Sequence, residues 1–416
     1  MQTPVTPQGK GINTRLTELV GSVVPASMSP NAKIFLLGGL SNGISNGIFS
    51  SIMQLYLVSL GFNAQSLGSI FMYNSLSCTI LSIPCGVLAD RYGKRKMVVT
   101  SFLLFSASLG IFFTTSTPQY FRIAFILMGA GNACFTIFNP LYSSFFEKND
   151  LDKAFGLYGL LNIMSMSLGN LAGYLPGRLV SWFPLSELQS YRYVMIIASF
   201  MLLLQYVFYL ISMRNYEETL SNDFRFKLKS WKPVVKFSVL LLFGNIAGGM
   251  MFSLFPYYVH EKFGVASSGL GLLFFLSNIS MAVSKGAAAA IAKKLGNMRS
   301  IAIGVSLSAV FFLLMPLSPS FGLLSFFYIL RMGTRFMSDP LLTGAFMRSI
   351  SDDEQSTANS IRMISMNLGG TVSPLLGGTL MEKVSLDTPA LLGAGLTFVL
   401  AVLYPVLLKD ELKESS

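Results

Sequence analysis

The sequence predicts an all-α membrane protein of twelve transmembrane helices, arranged as two pseudo-symmetric six-helix bundles. Three observations carry that expectation. Only 12% of the 416 residues are charged and 52% are hydrophobic, about half the charge of an ordinary soluble domain, with a mean hydropathy of +0.59. The apolar residues gather into twelve runs near the roughly 20 residues that a spanning helix needs. The first six runs and the last six also share small and polar landmarks.

Taken in order, a polar tail at 1–32 precedes the first run, so no cleavable signal peptide is expected. Run one (33–60) carries Asn42 and Asn46 one helical turn apart. Run two (66–89) ends in the turn Gly86-Val87-Leu88-Ala89-Asp90-Arg91-Tyr92-Gly93-Lys94-Arg95-Lys96. Runs three and four cover 96–115 and 119–145, the latter with Asn132, Thr136 and Asn139. Runs five and six cover 155–178 and 191–213. A linker at 214–232 separates this first bundle (33–213) from a second (233–408). The second holds runs at 233–259, with Asn245, and 268–291, with Lys285. It continues with 298–317, 321–347, 357–380 and 388–408, before a tail at 409–416.

Orientation follows from the cations, because Lys and Arg accumulate in cytoplasmic segments. With the first tail inside, alternate loops hold most of them, including Arg91, Lys94, Arg95, Lys96, Lys227, Lys229, Lys293 and Lys294. The opposite loops hold only Arg122, Arg178, Arg192, Lys262 and Lys383. Both termini are therefore expected in the cytoplasm of a cell-membrane protein. The same pattern explains a pI of about 9.5 without a nucleic-acid partner, since the cations punctuate apolar runs rather than cluster on a soluble domain. Cys78, Cys85 and Cys134 fall within runs and read as packing residues with no disulfide.

Landmarks recur at a spacing near 200: Ser165-Met166-Ser167-Leu168-Gly169 with Ser365-Met366-Asn367-Leu368-Gly369, Gly177 with Gly377, Asn139-Pro140-Leu141 with Asp339-Pro340-Leu341, and Gly61 followed by Leu67-Gly68 with Gly264 followed by Leu270-Gly271. A duplicated six-span unit implies a solute path between halves that rock to expose it alternately. The turn from Gly86 to Lys96 then adds specificity. It resembles the signature loop of the major facilitator superfamily, Gly-x-Leu-Ala-Asp-Arg-x-Gly followed by basic residues. That resemblance implies a twelve-helix secondary transporter. It also implies a conformational latch of Gly86, Asp90, Arg91, Gly93 and Arg95, with Asp90 facing the start of span eleven near Ser356-Thr357. The second-half counterpart, Ala289 to Gly296, lacks the acid. Motifs of the family's proton-coupled drug antiporters are only partly present: Phe125 and Met128 stand where span four would carry Arg and Gln, and Arg178 replaces a glycine after span five.

Lys285, Arg331, Arg335 and Asp339 lie deep within runs, where each costs roughly 2.5–3.5 kcal/mol unless it faces protein or water. Steps of four residues place Arg331, Arg335 and Asp339 on one side of span ten. One reading makes Arg335 and Asp339 an ion pair that only orients helices. The other makes Arg331, Arg335 and Lys285 contacts for an anionic solute, a carboxylate or phosphate ester, with Asp339 the deep candidate for proton coupling. Asn42, Asn46, Asn132 and Asn245 complete the expected lining, since the resemblance places spans one, four, seven and ten around the cavity. The balancing species are protons or a counter-anion, and a functional monomer is expected. One histidine and no Cys/His cluster leave little for an enzyme, and no cofactor is called for. Without a phosphate-binding Gly-x-x-x-x-Gly-Lys-Ser/Thr loop, ATP-driven pumping is disfavoured. A proton-coupled amphiphile exporter and a non-transporting solute sensor remain the alternatives.

Overall fold

The structure, a computed structural model, describes residues 25, 28–115, 117–147, 150–214, 216, 229–351 and 354–409; the side chains of Asp90, Thr136, Pro140, Asp152, Gln355 and Ser356 fall outside that set. The expected tails and most of the linker lie outside the described residues.

Twelve helical rods are found within it. The first half comprises Pro30–Ser59, Ala64–Tyr92, Lys94–Thr114, Pro118–Ser143, Leu151–Trp182 and Glu187–Ser212. The second comprises Trp231–Phe263, Ser267–Leu295, Asn297–Leu314, Phe321–Arg348, Gln355–Lys383 and Thr388–Leu407. They are called spans one to twelve below. Seven of them, spans two, three, six, seven, eight, nine and twelve, are long and apolar enough to cross a membrane. The other five include span one with Asn42 and Asn46, span ten with Arg331, Arg335 and Asp339, and the two first-half rods with 3-10 breaks. Span four is interrupted by a 3-10 turn at Phe135–Ile137 and span five by another at Ala172–Tyr174.

Local chemistry explains the starts of these rods. Ser29 accepts from the Ala32 amide with Pro30 in the first turn, and Asn63 accepts from Ser66. Ser186 and Gln189 cap span six reciprocally, satisfying amides that a helix start leaves orphaned. Two pairs of glycines carry the chain through left-handed φ that Cβ-bearing residues avoid. Gly61 and Gly264 turn it at one end of the molecule, Gly93 and Gly296 at the other, each pair 203 residues apart.

That spacing is the true register of the repeat across spans two to four and eight to ten. Ser77 donates to the Ile126 carbonyl, and Ser280 to Ile329, 203 residues on in both partners. The expected alignment of Asn139 with Asp339 is therefore three residues out; Asp339 corresponds to Thr136. In the fifth and eleventh spans the register is larger. Gly68 abuts the Pro374 carbonyl as Gly271 abuts that of Asn170, so matching Gly169 to Gly369 slips by about one turn. Composition bias, rich in Gly, Ser and Leu, produced those near-matches.

The halves meet at the Gly61/Gly264 end. The Gln54 amide donates to Ser253 O at 2.9 Å while its oxygen accepts from the Tyr257 amide at 3.1 Å. Ser267 donates to Gly173 O, and Gly68, Gly173, Gly271 and Gly378 each sit against backbone of the opposite half. Small residues let helix backbones approach this closely. Towards the Gly93/Gly296 end the same helices part: a methyl group at Gly86, Gly156, Gly159 or Gly286 would meet nothing within 4 Å. Close contacts between the halves therefore gather at the Gly61/Gly264 end, while these glycines towards the other end face open space.

Candidate functional site

Within the first half, spans one, three, four and six leave a cavity of about 260 Å³. Its polar lining is Asn42, Asn46, Asn132 and Gln205, and the rest is Phe49, Met53, Phe105, Met128, Phe135, Leu202 and Tyr206. Asn46 donates to Asn42 at 2.8 Å, as their one-turn spacing dictates. No charged side chain lines it. Its wall suits an apolar or aromatic body with a few hydrogen-bonding edges. The three asparagines expected from sequence in spans one and four are thus brought together. Gln205, Phe105 and Tyr206 were missed, because spans three and six read as uniformly apolar.

The 203-residue register carries this cavity onto the second half. Met128 and Asn132 of span four become Arg331 and Arg335 of span ten, and Phe252 of span seven packs beside Arg331. Here the space is filled. The Arg331 guanidinium lies 3.9 Å from the Phe252 ring centroid and 4.2 Å from that of Phe312. Arg331 is buried, and its Nε has no hydrogen-bond partner among the described residues. Two aromatic faces in a desolvated setting stabilise a cation by about 2 kcal/mol or more, comparable to its insertion cost. Asn245 instead donates to Leu241 O of its own helix at 2.8 Å, so its amide serves the helix and does not line the first-half cavity.

One turn further along span ten, Arg335 donates to Asp339 at 2.9 Å. The ion pair that sequence offered as the structural alternative is formed, and it leaves Arg331 outside it. Lys285 reaches across from span eight, its Nζ 5.0 Å above the Phe336 ring that also lies 5.9 Å from the Arg335 guanidinium. Arg362 of span eleven also interacts electrostatically with Asp339. It stacks at 5.3 Å over Phe346 and reaches Asn359 and Thr343. Sequence reading had placed Arg362 among the loop cations, because polar residues crowd the start of span eleven. Tyr404 of span twelve is buried beside Arg335 and Asp339.

The latch residues are spread along the open end. Gly93 is buried in the turn, whereas Arg91 and Arg95 are exposed and the Gly86 surface is free. The Asp90 side chain lies outside the described residues. The start of span eleven is tied to the linker by Glu354, whose Oε2 accepts from the Ser230 amide at 2.8 Å. That hydrogen bond, more than the nearby Lys229 charge, holds the Glu354 carboxyl below the usual range.

Comparisons with known proteins agree with this architecture. A family model described as Major Facilitator Superfamily matches residues 35–333 and 237–416. An uncharacterized MFS-type transporter of Methanocaldococcus jannaschii is 24% identical over 351 residues, covering 82% of this chain and 90% of that protein. The multi-drug resistance efflux pump PmrA of Streptococcus pneumoniae is 23% identical over 371 residues, covering 83% and 88%. Among solved structures, an auto-inhibited POT family peptide transporter aligns with a TM-score of 0.74 at 9% identity, over 92% of this chain and 97% of that one. The nucleoside transporter NupG aligns with a TM-score of 0.68 at 13% identity, over 92% and 100%. At such identities the structural likeness speaks for the fold alone.

Proposed function

The chain belongs to the Major Facilitator Superfamily and is a multi-pass transporter of a small-molecule solute; from that premise we propose that the solute is an organic anion with an apolar body, moved by alternating access of the two halves. The observation that carries the reading is the charge balance inside the second half. Among the described residues deep in these spans, Lys285, Arg331, Arg335 and Arg362 stand against one carboxylate, Asp339, which pairs with Arg335 and interacts with Arg362. An anionic head entering the cleft would offset that excess, and an arginine fork matches a carboxylate or phosphate bidentately. The uncharged cavity between spans one, three, four and six would take the apolar part.

On the expected orientation, read from the cation distribution along the loops, the open end faces the cytoplasm. We take export as the direction because a relative, PmrA, is named as an efflux pump. Closure at the Gly93 end would bring Gly86, Arg91, Gly93, Arg95 and Asp90 against span eleven. Asp339, paired with Arg335 in this state, is the group whose release or protonation would couple the cycle. A second reading, efflux of amphiphiles without regard to charge, is favoured by the aromatic and thioether wall of the cavity, which holds no fixed charge.

Reconstitution in liposomes separates the two. Counterflow of a carboxylated dye and of a cationic dye of similar size is measured with the wild type, Arg331→Ala and Arg335→Ala. An anion transporter moves the carboxylated dye alone and loses it in both variants at normal insertion. Equal movement of the cationic dye would overturn the anionic assignment in favour of the second reading.

A further inference from the structure

Two of the three cysteines meet in the interior of the first half. Cys85 Sγ on span two lies 3.4 Å from Cys134 Sγ on span four, both side chains are buried, and all three thiols are free. Cys134 is the last residue of the α-helical stretch Pro118–Cys134, immediately before the 3-10 turn Phe135–Ile137. Interruptions of this kind mark places where a helix can flex. Phe135 and Asn132, on either side of Cys134, line the first-half cavity. Cys78, two turns earlier on span two, lies 3.9 Å from Ser82 Oγ of its own helix.

We propose that Cys85 and Cys134 form a redox dithiol which closes to a disulfide and pins the break in span four against span two. A disulfide requires sulfurs about 2.05 Å apart, and from 3.4 Å a modest side-chain adjustment on each helix supplies the approach. An apolar interior excludes charged reagents, so the oxidant is a small neutral peroxide, with hydrogen peroxide the simplest. One thiol gives up its proton and the resulting thiolate attacks the peroxide O–O bond, giving a sulfenic acid while the leaving hydroxide takes up a proton as one water. The second thiol then attacks that sulfur, forming the S–S bond and releasing a second water. Both cysteines belong to the same half, so the bond leaves rocking between halves free. What it stiffens is the span-four segment that carries the wall residues Asn132 and Phe135.

The test uses the full-length protein in membrane vesicles, treated with hydrogen peroxide and then denatured and alkylated. The expected result is loss of two titratable thiols, a linked Cys85–Cys134 peptide by mass spectrometry, and reversal by dithiothreitol. Cys85→Ser and Cys134→Ser should each abolish the link, while Cys78→Ser keeps it. Hydrogen exchange of the 132–143 segment should slow at least several-fold in the oxidised protein and recover on reduction. Retention of all three thiols, or a link through Cys78, overturns the assignment. A link that leaves exchange of that segment unchanged overturns the pinning.

Discussion

At the scale of single residues, Arg331 is held by the Phe252 and Phe312 rings, while Arg335, one turn away, is held by the Asp339 carboxylate. The two arginines should therefore respond differently to substitution. Phe252→Leu keeps an apolar neighbour but removes one ring face; it should lower thermal stability by an amount corresponding to about 1–2 kcal/mol, read by a thermal-shift assay in detergent. Arg331→Lys keeps the charge but loses the flat stacking surface and the fork, so transport should fall about tenfold or more at unchanged surface expression. Asp339→Asn leaves Arg335 unpaired and should make flux independent of pH, measured as counterflow across an imposed pH gradient. That Arg331, Arg335 and Asp339 were special was legible from sequence, because charge in a spanning segment needs a partner or water. The Arg335–Asp339 pair was one of the readings offered, but the rings that hold Arg331 and the approach of Arg362 were not, since Phe252, Phe312 and Arg362 arrive from three other helices.

Helices, rather than side chains, decide which end of the molecule is closed. The Gly173 backbone touches Ser267, and Gly271 touches Asn170, so spans five and eight have no room for a Cβ at this crossing. Gly173→Ala should cost the present conformation about 1–3 kcal/mol by overpacking. The outcome would be a lower melting temperature, or increased labelling of a single cysteine placed beside the crossing. By contrast Gly159→Ala, facing open space, should be neutral or slightly stabilising in the same assay through helix propensity. Span eleven carries its own pH sensitivity. Glu354 has a folded pKa below its unfolded one, so its contribution is complete above the ordinary carboxylate range and is lost as pH falls through the folded value. Melting temperature measured from neutral to acidic pH should therefore drop more steeply in the wild type than in Glu354→Gln.

For the molecule as a whole, alternating access requires the cleft faces at Gly159 and Gly286 to approach when the other end opens. A Gly159→Cys/Gly286→Cys pair in a Cys78, Cys85 and Cys134 serine background should not cross-link in the conformation described here. It should do so under turnover, and the link should stop transport; cross-linking that is insensitive to solute would count against rocking. The sequence alone determined the class of the molecule, because the free energy of burying apolar residues and of placing cations depends on composition and order along the chain. Twelve rods, two related halves, the Gly86–Lys96 turn and the deep charges all follow from that. Only the tertiary structure decided which of the repeat matches offered by the sequence hold in space, which end is closed, and the contrast between an open uncharged cavity in one half and an arginine-filled one in the other. Those depend on distances between helices far apart in the chain, where a shift of one turn changes which side chains meet while leaving each helix's own pattern intact.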